Sequence, residues 1–230
     1  MIGKNVILQI ETATTMCSVA LSADGRVLAL KELNERNIHA SEITLFIDEV
    51  MRLAEVSYNE LKAVSISKGP RSYTGLRIGV STAKGLCYAL DLPLISVNTL
   101  EAMASGFLQE YPDTDRSALL CPMIDARRME VYTALFDTKL NPVEQVAAKV
   151  LDAQSFEKYL AEGQVIFFGD GATKTQSLYS TNPNYTFVDF ENSAAHLSNI
   201  SSQKFDRGEF ENVAYFEPFY LKDFIAGVSK

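Results

Sequence analysis

Histidine is scarce in this chain: there are two, His39 and His196, far apart in 230 residues. Neither has a second imidazole three or four positions away, so no helix can present the paired histidines of a zinc hydrolase. His39 falls where a helix begins and reads as an end-of-helix or surface residue; His196, within Ala194-Ala-His-Leu197, reads as structural. Cys17, Cys87 and Cys121 lack metal-type spacing, and three such thiols fit a reducing compartment rather than a disulfide framework. A basic excess is missing too. The formal net charge is −8, the wrong sign for a protein whose main affinity comes from gripping nucleic-acid phosphates. No stretch is long enough to cross a bilayer, and Val6 to Ile10, followed by Glu11, is too short for the apolar centre of a signal peptide. A soluble, cytoplasmic protein with no membrane partner is the expectation. No Gly-x-Ser-x-Gly nucleophile elbow and no low-complexity tract occurs.

What is present is an ordinary apolar fraction and enough chain for one large domain or two lobes. Val6–Ile10 and Cys17–Leu21 read as strands, Asp24-Gly25 as a hairpin turn, and Arg26–Leu33 as the returning strand. A helix runs from about Asn37–Ser41 to Glu55, with Ile43, Phe46, Ile47, Val50, Met51 and Ala54 at helical spacing and Leu45 and Leu53 widening that face. Strand Ala63–Ser67, a helix, strand Pro93–Val97 and a helix from Thr99 follow, then a polar joint at Tyr111–Arg116. After the joint the pattern restarts: strands at Leu119–Asp125, Met129–Phe136 and Val143–Val146, a helix over 155–162, strand Val165–Phe168, and a last helix over 193–205. The repeat predicts an α/β protein of two ribonuclease-H-like lobes, with mixed five-stranded sheets flanked by helices, over residues 1–110 and 117–230.

The most informative stretch is Gly69-Pro-Arg-Ser-Tyr-Thr-Gly-Leu-Arg-Ile-Gly79 and the helix it opens, which Ser72 or Thr74 can cap. Its glycine and lysine spacing is wrong for a Walker phosphate loop. Gly75, Gly79 and Ala83 recur every four residues and leave one helix face nearly bare. Leu76, Val80, Cys87 and Leu90 form a second apolar stripe, and only Arg77, Ser81, Lys84 and Tyr88 a polar one. A helix apolar around most of its circumference is covered on two sides, either within its own α/β core or by another protein.

Glu11 and Asp125 end the first strand of each copy. Two such carboxylates can hold hydrated magnesium against a nucleotide, with Thr12 and its neighbours offering hydroxyls, or can simply be solvated. Gly169-Asp170-Gly171 either lets backbone approach a ligand or only turns the chain. An ATP-dependent phosphotransferase using Glu11 and Asp125 is therefore one function class, and Glu11, Thr12, Asp125, Gly169 and Gly171 are the candidate residues of a vestigial nucleotide site. A metallopeptidase lacks its histidines, and no complete catalytic constellation is visible.

The segments Ile10-Glu-Thr-Ala-Thr-Thr-Met-Cys-Ser-Val-Ala-Leu21, His39-Ala-Ser-Glu42, Gly69 to Gly79, Asp125-Ala-Arg-Arg-Met-Glu-Val-Tyr132, Gly169-Asp-Gly171 and Glu217-Pro-Phe-Tyr-Leu-Lys222 resemble the TsaB (YeaZ) family. That family is the non-catalytic subunit of the bacterial enzyme making threonylcarbamoyladenosine in tRNA. The matches run nearly the whole length. The family commonly has Asp where Glu11 stands and Gly where Arg71 stands. The resemblance implies an actin-like, sugar-kinase-like fold with no cofactor or metal of its own, ATP and magnesium entering only at the level of the complex. It implies a scaffold that activates a catalytic paralogue, TsaD, beside an ATPase, TsaE, with tRNA met indirectly. TsaD would transfer threonylcarbamoyl to N6 of the adenosine 3′ to the anticodon. Docking would use the two N-terminal-lobe helices, through Ile43, Phe46, Ile47, Val50, Leu76, Gly79, Val80 and Ala83, and the same face would give a homodimer when TsaD is absent. On this reading Gly79→Leu or Val80→Asp blocks pairing and spares the fold.

Overall fold

A computed structural model describes residues 4–35, 38–70 and 73–221. The first sheet begins with β1 (Val6–Glu11) and β2 (Met16–Ala23), both buried along their whole length, as strands inside a covered sheet must be. Asp24 and Gly25 both take positive φ, as a two-residue turn matched to the strand twist requires, and lead into β3 (Arg26–Asn34). Helix α1 (His39–Leu53) is followed by β4 (Leu61–Ser67), α2 (Tyr73–Leu90), β5 (Leu94–Val97) and α3 (Thr99–Glu110). Asn98 caps α3, its side chain accepting from the amides of Leu100 and Glu101. The strand order is β3-β2-β1-β4-β5, with β1 antiparallel to β2 and parallel to β4.

The second sheet repeats this order. It comprises β6 (Leu119–Asp125), β7 (Glu130–Phe136), β8 (Pro142–Val150), β9 (Val165–Phe168) and β10 (Tyr185–Val188), ordered β8-β7-β6-β9-β10. Its helices are short: α4 (Glu157–Glu162) and α5 (Gln176–Tyr179). Neither α5 nor β10 is expected from the sequence. A 3-10 turn at Ala194–Leu197 leads into α6 (Ser198–Asp206), where one continuous helix was expected. Ser72 and Arg71 lie outside the described residues, as does Lys222. Thr74 lies inside α2 and exposed rather than ahead of it as a cap.

Alternation along β1 divides the first core. Val6, Leu8 and Ile10 face α1 and α2 with Ile43, Phe46, Val50, Val80 and Ala83, while Ile7 faces α6 with Ile95, Val97, Leu197 and Ile200. The lobes exchange a helix across the joint. α3 packs on the second sheet, through Leu100, Met103 and Phe107 against Leu120, Ile124 and Phe168, and α6 returns to the first. The chain then straps the outer edge of β5. Glu211 bridges Leu94, Lys84 Nζ donates to the carbonyls of Ala214 and Phe216 at 3.1 and 3.0 Å, and the Phe219 amide donates to Lys68 O.

Candidate functional site

The face of α2 expected to meet a partner lies inside the molecule. Gly75, Leu76, Gly79, Val80 and Ala83 are buried, as are Ile43, Phe46, Ile47 and Val50 of α1, all against their own sheet and hairpin. A methyl group on Gly75 would overlap Thr12 O, and one on Gly79 would overlap Thr12 Oγ1. The small residues therefore receive the loop after β1, not a foreign helix. These eight expected interface positions are core.

The outward face of α2 carries a different small-residue row. Ser81, Gly85 and Ala89 are exposed at four-residue spacing, and a Cβ added at Gly85 meets nothing within 4 Å. Tyr88, beside this row, is 88% exposed. On the neighbouring helix Leu45 and Leu53 are 58% and 52% exposed, as their excess over one sheet contact implied. A helix face of this kind admits a second helix to an axial separation of roughly 8 Å.

The two strand-end carboxylates are unlike. Glu11 is fully buried, and its Oε1 accepts from the Ala13 amide at 2.5 Å. Thr12 is equally enclosed. Asp125 is exposed: its Oδ1 takes Lys174 Nζ at 2.6 Å and the Arg127 amide at 2.7 Å. Lys174 also donates to Glu130 O at 2.7 Å, fastening the 3-10 turn at Ala172–Thr175 to the β6–β7 hairpin. Gly169 has φ +96°, and a side chain there would overlap Met123 O; one at Gly171 would crowd Ile124. Both glycines fit the turn against β6, and Asp170 Oδ1 accepts the Asp125 amide at 2.9 Å. The proposed nucleotide set is thus not gathered around one opening.

The cleft between the lobes is lined instead by Thr14, Thr15, Met16, Asn34, Met103, Asp170, Phe190, Glu191 and Asn192. Asp170 and Glu191 are the charged side chains among these described lining residues. Asn34 Nδ2 donates to Glu191 Oε1 at 2.6 Å across the cleft.

Both histidines and all three cysteines are buried. His39 is the first residue of α1, as expected, but is buried rather than at the surface, with Nε2 3.2 Å from Met16 O. His196 stacks on Phe190, contacts Glu110 Oε1 at 2.9 Å through Nε2, and accepts the Ser193 amide at Nδ1. Burial pushes the Cys17 and Cys87 thiols up to about 11 and Cys121 to about 12, the reverse of an activated nucleophile. Among the described residues no group of three or more His, Cys, Asp or Glu side chains is placed to hold a metal, and no helix is long and apolar enough to cross a membrane.

Comparison with known proteins agrees with this frame. Residues 32–224 match the profile of the tRNA N6-adenosine threonylcarbamoyltransferase family, TsaD. The chain is 32% identical over 228 residues to the tRNA threonylcarbamoyladenosine biosynthesis protein TsaB of Escherichia coli, covering 96% of each. It is 28% identical over 206 residues to the tRNA N6-adenosine threonylcarbamoyltransferase of Limosilactobacillus fermentum, covering 81% of this chain and 57% of the transferase. In structure it matches YeaZ from Pseudomonas aeruginosa with a TM-score of 0.78 at 21% identity, over 94% of this chain and all of the other.

Proposed function

The chain belongs to the TsaB family and has a role in tRNA threonylcarbamoyladenosine biosynthesis, and from that premise we propose that it is a non-catalytic scaffold that docks and activates a TsaD-type transferase. The observation that carries the reading is the outward row Ser81, Gly85 and Ala89 on an 18-residue helix, flanked by exposed Tyr88, Leu45 and Leu53. Bare helix surface with large side chains around it is what close helix-on-helix docking uses. The chain and the transferase family share their fold along most of this sequence. Equivalent helices of two related proteins can therefore pair about a pseudo-two-fold axis. Activation then means holding the partner's own site in its working arrangement.

This scaffold needs no nucleotide, and the enclosure of Glu11 and Thr12, two of the candidate nucleotide contacts, in the core supports that. A TsaE-type ATPase would bring its own nucleotide, and tRNA would be met through the partners' surfaces, since the chain carries a net charge of −8. The cytoplasm, where tRNA is modified, is the compartment this reading requires.

Gly85→Leu tests it. The new side chain enters open space and removes a helix glycine, so the isolated chain keeps or gains stability, by up to ~1 kcal/mol. Co-elution with the TsaD-type counterpart on size exclusion should be lost. Unchanged co-elution with the correctly folded variant would overturn the docking face.

A further inference from the structure

The strap that follows α6 does more than cover the edge of β5. Within it, Asn212 organises a tight turn: its Oδ1 accepts from the amides of Ala214 and Tyr215 at 3.0 and 3.4 Å, and its carbonyl from those of Tyr215 and Phe216. Val213 and Phe216 turn inwards and pack against the first core. Lys84 Nζ holds the same turn from α2, through the carbonyls of Ala214 and Phe216. Further on, the Phe219 amide bonds Lys68 O, and the Tyr220 ring lies 5.0 Å from that of Tyr73, the first residue of α2. The strap is thus fastened along α2 at the first turn of the helix and again at Lys84.

One side chain of the turn is left outside. Tyr215 is 84% exposed, although the residues on either side of it are tied to Lys84. Among the described large apolar side chains only Tyr88 is more exposed, and it stands one helical turn beyond Lys84. Helical spacing sets Arg77, Lys84 and Tyr88 on the strap side of the row Ser81, Gly85 and Ala89. Helix α1 lies on the other side, over β2 and β3. The bare row is therefore a trough between α1 and the strap, with Tyr88 and Tyr215 along its strap bank.

We propose that Tyr215 is a contact residue for the TsaD-type transferase, the strap forming with Tyr88 one wall of the docking face, and that Lys84 is the positioning residue that holds this wall. The inference rests on the docking reading above and extends it from the helices to a segment distant in sequence. The chemistry suits a protein surface. Both cations of α2 are engaged within the chain, Lys84 with the strap carbonyls and Arg77 over the Tyr73 ring at 3.9 Å. What stands out at Tyr88 and Tyr215 is ring surface with a hydroxyl at its tip, an anchor for an apolar helix rather than for a phosphate backbone. A turn fixed in advance also lowers the ordering cost of docking. The match to the transferase profile runs on through the strap, so partner and scaffold share this segment as well as the two helices.

The test is titration calorimetry of the full chain with its purified TsaD-type counterpart. Tyr215→Ala should weaken the dissociation constant about tenfold or more, with an unchanged urea midpoint because the ring is exposed. Val150→Ala, 67% exposed on β8 of the second sheet, should bind as the parent does. Lys84→Met should weaken binding, and Lys84→Arg, which keeps donors for the two carbonyls, should recover most of it. Lys84→Met combined with Tyr215→Ala should bind no worse than Tyr215→Ala alone; additive losses would overturn the positioning role of Lys84. Parental affinity in Tyr215→Ala beside lost binding in Gly85→Leu would overturn the strap contact and leave the docking face on α2 standing. Binding that neither substitution changes, or that the parent lacks, would overturn both readings.

Discussion

The two lobes share one strand order and diverge in what covers the end of their first strand. In the first, the loop after β1 is sealed beneath α2: Glu11 and Thr12 have no exposed surface, and Gly75 and Gly79 leave just the room that Thr12 takes. In the second, the corresponding hairpin stands in solvent, with Arg127 and Arg128 both at positive φ and Asp125 tied to Lys174. The helices differ likewise. Helices of 15 and 18 residues cover the first sheet on that side, against 6 and 4 residues in the second. The same topology thus yields one lobe built around long helices with surplus outward surface, and one that closes on itself. The lesson is that the strand-end carboxylate pair, equivalent in position, is not a paired site.

The sharpest way to break that comparison is to fill the seal. Gly79→Leu forces a side chain against the Thr12 side chain and Ile66, both enclosed, so the loop after β1 or α2 itself must shift. Overpacking of this kind typically costs about 1–3 kcal/mol, a large share of the ~5–15 kcal/mol that holds a domain together. The expected outcome is a much lower urea midpoint or insoluble protein. Wild-type stability would mean that the loop after β1 is loosely held. The sequence alone suggests the opposite result, a folded monomer that cannot pair. The contrast with Gly85→Leu, six positions along the same helix, separates inside from outside.

That reversal marks the boundary of what the residue pattern reveals. The repeated unit was legible because each copy opens with an apolar strand ending in an acid, and Asp24-Gly25 announces a hairpin. The side of α2 that faces inwards was not. Gly75, Gly79 and Ala83 recur every four residues, and so do Ser81, Gly85 and Ala89; the deciding contact comes from Thr12, more than sixty residues away. Leu45 and Leu53 were readable as surplus because one sheet contact already accounts for Ile43, Phe46, Ile47 and Val50. The fifth strand of the second sheet escaped notice since Tyr185–Val188 is four residues long, half-buried throughout and preceded by the turn-rich Thr181-Asn-Pro-Asn184. Nothing local distinguishes buried Glu11 from exposed Asp125 either, which is why both were candidates for a nucleotide site.

Substituting both carboxylates with their amides sharpens the comparison by a smaller amount. Glu11→Gln replaces a carboxyl that a backbone amide holds at 2.5 Å in a fully enclosed place with a group carrying two donors to satisfy, and should cost about 2 kcal/mol. Asp125→Asn keeps an acceptor for the Arg127 amide and loses a surface ion pair, and should cost less than about 1 kcal/mol. Chemical denaturation of the two variants against the parent measures both. Equal losses would contradict the difference in burial described here.

The smallest effect concerns the place where the lobes exchange helices. His196 belongs to the turn leading into α6 on the first sheet, yet it stacks on Phe190 and meets Glu110 at the end of α3 on the second. A methyl on Gly106 of α3 would strike its ring, so the imidazole fills that junction closely. Burial lowers its pKa below the ordinary 6.5, against the opposing pull of Glu110, and the Ser193 amide donating to Nδ1 requires the neutral form. Below pH 6.5 the unfolded chain therefore takes up this proton before the folded one does. Stability is complete above that pH and declines as the pH falls from 6.5 towards the lowered folded value, by no more than about 1.4 kcal/mol per unit. Urea midpoints between pH 5 and 8 should show this slope in the parent. In His196→Gln the protein should be weaker throughout and the slope should flatten in that window. An unchanged slope would place the titrating group elsewhere and leave the junction between the lobes indifferent to protonation.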